Sequence, residues 1–138
     1  MTETFELDAR LAADTHVVGD LELSRVLLMD DARFAWLIVV PRRAGMRDLI
    51  DLALDDQHVL LGEIGRCAHA LRDMDKPDKL NIAALGNVVA QLHVHVIARH
   101  QHDAAWPRPV WGAGTALHYD ASTLQRRLAS LRTALRTR

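Results

Sequence analysis

The sequence predicts an α+β domain: a small antiparallel sheet of about five strands, one long helix laid across it and a second helix at the C-terminus. Three observations predict it. Two β-rich runs, 26–29 and 34–40, are separated by only the short polar stretch 30–33. A stripe of apolar residues at helical spacing follows over 55–74, and a second pair of β-like runs then closes around Gly86-Asn87. Connections this short join antiparallel neighbours, whereas parallel strands need a crossover of about a dozen residues or more. A βαβ nucleotide fold is therefore not expected.

The elements follow in chain order. "LELSRVLLMDDARFAWLIVVP" reads as a hairpin that Pro41, lacking an N–H for the ladder, brings to an end. "VVGDLEL" before it adds a further strand. In the helical stretch Leu60, Ile64, Cys67, Leu71 and Met74 recur at spacings of four and three, which lines one face. Asp55 is the expected N-cap, with Leu54 and Val59 as a hydrophobic staple and Pro77 just past the end.

"KLNIAAL" and "VVAQLHVHVIA" then form the second hairpin. A two-residue turn at Gly86-Asn87 pairs Leu85 with Val88 and turns Asn81 away from the histidines. A three-residue loop pairing Ala84 with Val88, or a bulge, puts Asn81 on their face, and that is the expectation. Residues 101–119 hold two histidines, two prolines and two of the three tryptophans, an ordered arm of unusual length. Leu124, Leu128, Leu131 and Leu135 make one stripe of the last helix, with Arg126, Arg127, Arg132 and Arg136 off it as a solvated face. Residues 1–138 are expected to form one domain, with no repeat, low-complexity tract or linker.

Composition narrows the class. A chain of 138 residues, 49% hydrophobic and 25% charged, suffices for one core. Its 17 basic and 18 acidic residues leave a formal charge of -1, so nothing favours nucleic acid as a partner, although five arginines crowd the last thirteen positions. Cys67 is the single cysteine, which excludes an internal disulfide and suits a reducing compartment; it is expected to be buried and inert. The N-terminus "MTETFELDAR" is acidic where a signal peptide is basic, and no apolar run approaches the roughly 18 residues of a membrane span. A soluble cytoplasmic protein without membrane attachment is expected.

The chemistry concentrates in "AQLHVHVIA". On a strand Leu92, Val94, Val96 and Ala98 share one side and seal a core, while Gln91, His93, His95 and Ile97 share the other. The two histidine Cα atoms then lie about 6.6 Å apart, so both rings can reach one small anion or one metal ion. A neutral imidazole whose Nδ1–H is held by a backbone carbonyl presents its Nε2 lone pair as a nucleophile, and a neighbouring histidine can donate to a phosphoryl oxygen as charge develops.

"QLHVHVI" resembles the signature of the histidine-triad (HIT) superfamily of nucleotide hydrolases and transferases, in which three histidines alternate with apolar residues, with Gln91 at the first histidine. The likeness extends to the strand ending in Pro41, the long helix, the strand before the motif and Trp106-Pro107, covering most of residues 20–112. It implies an HIT-like fold and attack by His93 on the α-phosphorus of a purine nucleoside derivative. A nucleotidyl-histidine intermediate forms and water releases it. It implies further that His95 bonds the phosphate or assists proton transfer to the leaving group, that Asp30 holds the ribose hydroxyls, and that Asn87 and Asn81 lie near the phosphates. Dinucleoside polyphosphates and nucleoside phosphoramidates both remain candidate substrates. No metal or other cofactor is implied, and a homodimer is, with 101–138 contributing to its interface.

Two positions depart from the family pattern. Gln91 cannot titrate, yet its amide keeps donor and acceptor capacity with which to orient His93. Trp36 stands where well-known members carry a further histidine. Both changes imply a rebuilt layer around the nucleophile.

Plainer readings stand beside these. His93 and His95 can belong to an ordinary polar sheet face, or to a metal site completed by His16, His100, His102 or His118. A nucleotide-binding protein without efficient catalysis is the other alternative. Hairpin geometry alone explains Asp30 and Asn87. Trp106 and Trp111 either stack on a base or anchor an interface. The terminal arginines can meet substrate phosphates across a dimer, and His58 and His69 are expected at the helix surface.

Overall fold

Alternating burial and short turns produce one five-stranded antiparallel sheet. In the computed structural model, which describes residues 4–137, its strands are β1 (Thr15–Asp20), β2 (Ser24–Met29), β3 (Ala35–Pro41), β4 (Lys79–Ala83) and β5 (Val94–Arg99). They lie in the order β1-β2-β3-β5-β4, so β5 sits between β3 and the edge strand β4. The helices are α1 (Ala9–Asp14), α2 (Leu54–Asp75) and α3 (Ala121–Leu135). The α+β class and the antiparallel sheet are as expected. Among the described residues no helix is long and apolar enough to cross a membrane.

The period of two divides the sheet into two buried faces. Leu37 and Val39 of β3 and Val94 and Val96 of β5 point to α2 and α3, against Leu60, Cys67, Leu71, Leu131 and Leu135. Each fully buried leucine contributes about 1.5–3 kcal/mol relative to an exposed one. Leu27, Trp36, Ile38 and Ile97 point the other way, into a second cluster with Leu11, Ala105 and Val110. That second face carries both histidines, since His95 lies opposite Ile38.

Helix α2 begins differently from the expectation. Its N-cap is Ala53, without a side-chain bond; Asp55 falls in the first turn beside Asp56, where the helix dipole favours a carboxylate. Leu54 is exposed, so it makes no staple with Val59. The reason lies upstream: Asp51 accepts the Arg47 and Asp48 N–H groups around the 3-10 turn Leu49–Asp51, and Leu52 is the residue that enters the core. At the other end Lys76 adopts a left-handed conformation, φ 48°, before Pro77.

The β4–β5 connection is longer than either loop expected from the sequence, and the run from Val88 to His93 belongs to it and not to the strand. Ala83 pairs with His95, and residues 84–93 form the loop. Gly86 has φ 77°, but among the described residues only Lys76 and Arg136 are non-glycine with positive φ, so Asn87 does not complete a two-residue turn. The Leu92 N–H bonds the Met46 carbonyl at 2.9 Å instead of β4, which stops the ladder there. Asn81 consequently pairs with Ile97, on the histidine face.

The terminal arginines are not a uniformly solvated face. Arg127 forks onto both Asp75 oxygens, and Arg132 bonds the Val18 and Val17 carbonyls at 2.8 and 2.9 Å. Both tie α3 to the rest of the molecule, while Arg126 and Arg136 are exposed.

Arg99, at the end of β5, is 2% exposed and holds the arm to the sheet. Its guanidinium meets both Asp103 oxygens at 2.8 and 3.1 Å, Asn81 Oδ1 at 2.8 Å and the Arg108 carbonyl at 2.7 Å. Asp103 also accepts backbone N–H groups from His100, Ala105 and Trp106. Although burial alone raises its pKa, these donors together hold the carboxyl well below the usual range. Its stabilisation is complete above the unfolded value of about 3.9 and is lost as pH falls from there through the lower folded value. Arg99→Met is expected to cost about 3–5 kcal/mol in denaturant unfolding, because it strands a buried carboxylate. A loss under 1 kcal/mol (about that of an exposed pair) contradicts this account.

Candidate functional site

The two histidines stand where β5 begins. His93 and His95 are 6% and 5% exposed, with ring centroids 4.9 Å apart and planes at 67°. The alternation that aims them at one side continues through residue 93, just ahead of the strand, because Leu92 is locked into the opposite core.

Each ring has one nitrogen engaged. His93 Nδ1 lies 2.6 Å from the Gln91 carbonyl, an acceptor two residues back in the same segment. His95 Nδ1 lies 2.9 Å from Trp36 Nε1, a neighbour on β3. Burial first, and the adjacent His93 second, push the His95 pKa down to about 4. The Trp111 ring packs edge-on at 5.0 Å from His95 and 6.2 Å from Trp36, so an aromatic wall closes this side.

A cavity of about 370 Å³ opens in front of both rings. Trp36, Trp111, Asn87 and Val89 line it, together with Arg10, Leu11 and Asp14 from α1. A second cavity of about 350 Å³ adjoins it, sharing Asp14, Met29, Trp36 and Trp111, and is bordered by Asp30, Arg33 and His118. The two lie side by side across these shared residues, the one apolar around the histidines and the other charged around Asp30. A larger concavity, about 620 Å³, surrounds Arg42, Arg43 and Asp56, and neither histidine lines it.

The other predicted residues are distributed unevenly. Asn87 shares the cavity with His93 and His95. Asp30 lines the second cavity, where its carboxylate accepts the Tyr119 N–H at 3.0 Å and meets His118 Nδ1 at 2.8 Å and His16 Nε2 at 3.3 Å. Asn81 is on the right face but outside the cavity lining, its oxygen bound to Arg99. Gln91 does not reach the His93 ring through its side chain. Its amide oxygen accepts the Asp8 N–H and its NH2 donates to the Glu6 carbonyl, both at 2.8 Å, fastening the N-terminal segment beside the site.

Trp111 belongs to the site wall, whereas Trp106 lies 5.8 Å from the Arg99 guanidinium and anchors the arm. Helix α1, which supplies Arg10, Leu11 and Asp14, has no place in the sequence reading. Its signal was available in Asp8, which caps the Arg10 and Leu11 N–H groups ahead of "ARLAAD". Among the described residues no three His, Cys, Asp or Glu side chains gather in a group fit for a metal ion. His16 and His118 flank Asp30, and the His100 and His102 rings lie 5.2 Å apart from one another. Cys67 is buried, its thiol pushed up to about 12 by burial.

Residues 10–102 match the HIT domain family. Comparison with curated proteins gives no significant match. The chain is similar to the crystal structure of a histidine triad protein from Bradyrhizobium japonicum, with 50% identity, TM-score 0.94, and coverage of 96% of this chain and 99% of that one. A histidine triad protein from Marinobacter aquaeolei is 42% identical with TM-score 0.95, covering 97% and 98%. One from Sinorhizobium meliloti is 42% identical with TM-score 0.92, covering 95% and 97%.

Gln91→Ala separates the two duties of position 91. The backbone carbonyl still receives His93, while Asp8 and Glu6 lose their partner. Amide exchange at Asp8 is expected to accelerate and stability to fall by about 1 kcal/mol. A displaced His93 ring, read from its NMR shifts, contradicts the assignment.

Proposed function

The chain belongs to the HIT domain family, a family of nucleotide-binding hydrolases and transferases, and from that premise we propose that it acts at the α-phosphate of a purine nucleoside derivative through covalent catalysis by His93. One observation carries this reading. The Gln91 carbonyl can only accept, so the 2.6 Å contact holds a proton on His93 Nδ1, and in the neutral ring Nε2 then carries the lone pair.

His93 Nε2 attacks the α-phosphorus, and the bond to the leaving group breaks with its electron pair. A nucleotidyl-His93 adduct results. Water then attacks the same phosphorus, the P–N bond returns its electrons to the ring, and a nucleoside monophosphate departs with one proton released to solvent. His95, 4.9 Å away between ring centres, meets the phosphoryl oxygens, and Asn87 joins it from the loop. The nucleoside extends past the shared Met29, Trp36 and Trp111 toward Asp30, where a ribose hydroxyl displaces the exposed His118 ring.

Asn81 and Gln91 act at one remove, through Arg99 and the N-terminal segment. Dinucleoside polyphosphates and nucleoside phosphoramidates both offer the required phosphorus. The homodimer belongs to the same reading and is supported by the half-exposed Ile82 on edge strand β4.

Single-turnover labelling checks the proposal. A nucleotide labelled at the α-phosphate is expected to give a protein adduct that vanishes in His93→Ala and survives at reduced level in His95→Asn. Tight nucleotide binding without any adduct contradicts catalysis and leaves a binding protein. Stoichiometric metal ligated by both histidines contradicts the phosphoryl chemistry altogether.

A further inference from the structure

The His95 nitrogens are not equivalent. An indole N–H only donates, so the 2.9 Å contact from Trp36 Nε1 requires an unprotonated Nδ1 on His95. A neutral imidazole carries one proton, which then sits on Nε2. The adjacent His93 is held in the opposite tautomer by the Gln91 carbonyl. The two rings therefore offer a lone pair and an N–H to the same cavity, and each is fixed from behind.

The Trp36 contact also limits what His95 can do with its proton. To give it up fully, the ring must become an imidazolate or regain a proton at Nδ1, and the indole behind it has none to spare. To take a second proton, Nδ1–H must face Trp36 Nε1–H head-on in a site 5% exposed. Burial first, and the adjacent His93 second, act in the same direction and hold the His95 pKa down to about 4. The other ionisable side chains lining the cavity, among the described residues, are His93 itself and the exposed Arg10 and Asp14 of α1. The Nδ1 proton of His93 is turned away, to the backbone.

We propose that Trp36 is a positioning residue that fixes His95 as a hydrogen-bond donor and denies it the role of proton carrier, which restricts the enzyme to phosphoanhydrides over phosphoramidates. This rests on His93 as the nucleophile. When the α-phosphorus of a dinucleoside polyphosphate is attacked, the P–O bond breaks and the electron pair leaves on a phosphate oxygen, a stable anion that needs no proton. When a phosphoramidate is attacked, the P–N bond breaks and the departing amine must be protonated as it leaves. His95 Nε2–H can bond the phosphoryl or bridging atom in either case but cannot complete the second transfer.

Two measurements test this on the intact protein. The 15N shifts of the His95 ring are expected to show a protonated Nε2 and a bare Nδ1, unchanged from pH 5.5 to 8. Trp36→Phe keeps an aromatic ring but no donor; it is expected to mix the tautomers and to raise the His95 titration. Trp36→His, which can again donate, is expected to restore Nε2–H. In single turnover at saturating substrate, a diadenosine polyphosphate is expected to form the His93 adduct at least about 10²-fold faster than an adenosine phosphoramidate, the range a positioned general acid supplies. That ratio is expected to narrow in Trp36→Phe.

A bare Nε2 on wild-type His95 overturns the proposal even if Trp36→Phe fails to fold. Equal rates of His93-adduct formation from the two substrates overturn it while sparing the nucleophile. Absence of any adduct refutes the nucleophile instead, and the ring shifts still decide the role of Trp36.

Discussion

A contact of 2.6 Å between His93 Nδ1 and the carbonyl of Gln91 sets the chemistry of this molecule. The acceptor is backbone, two residues back, so the ring is oriented by the same chain segment that delivers it. A side chain at position 91 is not needed for that purpose. Gln91 is thereby released to hold Glu6 and Asp8, and through them the short helix that closes one end of the cavity. The departure from three alternating histidines is thus a change in how the site is walled, with the orientation of the central imidazole left to the main chain.

The sheet makes that contact rigid. Strand β5 is paired on both sides, and its alternate residues are buried on both faces. A shift of one residue would exchange Val94 and Val96 with His93 and His95, placing two imidazoles in an aliphatic core without partners. The helical layer fixes register from one side. On the other, Arg99 and Asp103 clamp the arm that brings Trp111 against His95. Buried charge is a costly fastener, tolerable here because both Asp103 oxygens and most guanidinium donors are satisfied.

Much of this was legible in the chain. The strand runs, the 3.6 period of the long helix and the alternation around His93 are local patterns, and each reappears with the expected face buried. The helix start was misread because Asp55 satisfies the local rule for a cap, whereas Leu52, fixed by tertiary packing, decides where the chain enters. The strand expected from Val88 begins only at Val94, because the Met46 carbonyl, remote in sequence, takes the Leu92 N–H. Glu63, a charged residue type that is seldom buried, is 4% exposed and accepts the Leu23 N–H at 2.9 Å, a contact across 40 residues. Contacts between Gln91 and Asp8, or Trp36 and His95, span 83 and 59 residues, and no window of sequence contains both partners.

The account comes down to where one lone pair points. A crystal structure with a bound nucleoside monophosphate measures that directly. It is expected to place His93 Nε2 about 3–3.5 Å from the phosphorus and in line with the bond to be broken, with the sugar toward Asp30. A phosphate lodged elsewhere on the molecule, or a His93 Nε2 turned into the hydrocarbon of Leu11 and Val89, contradicts it.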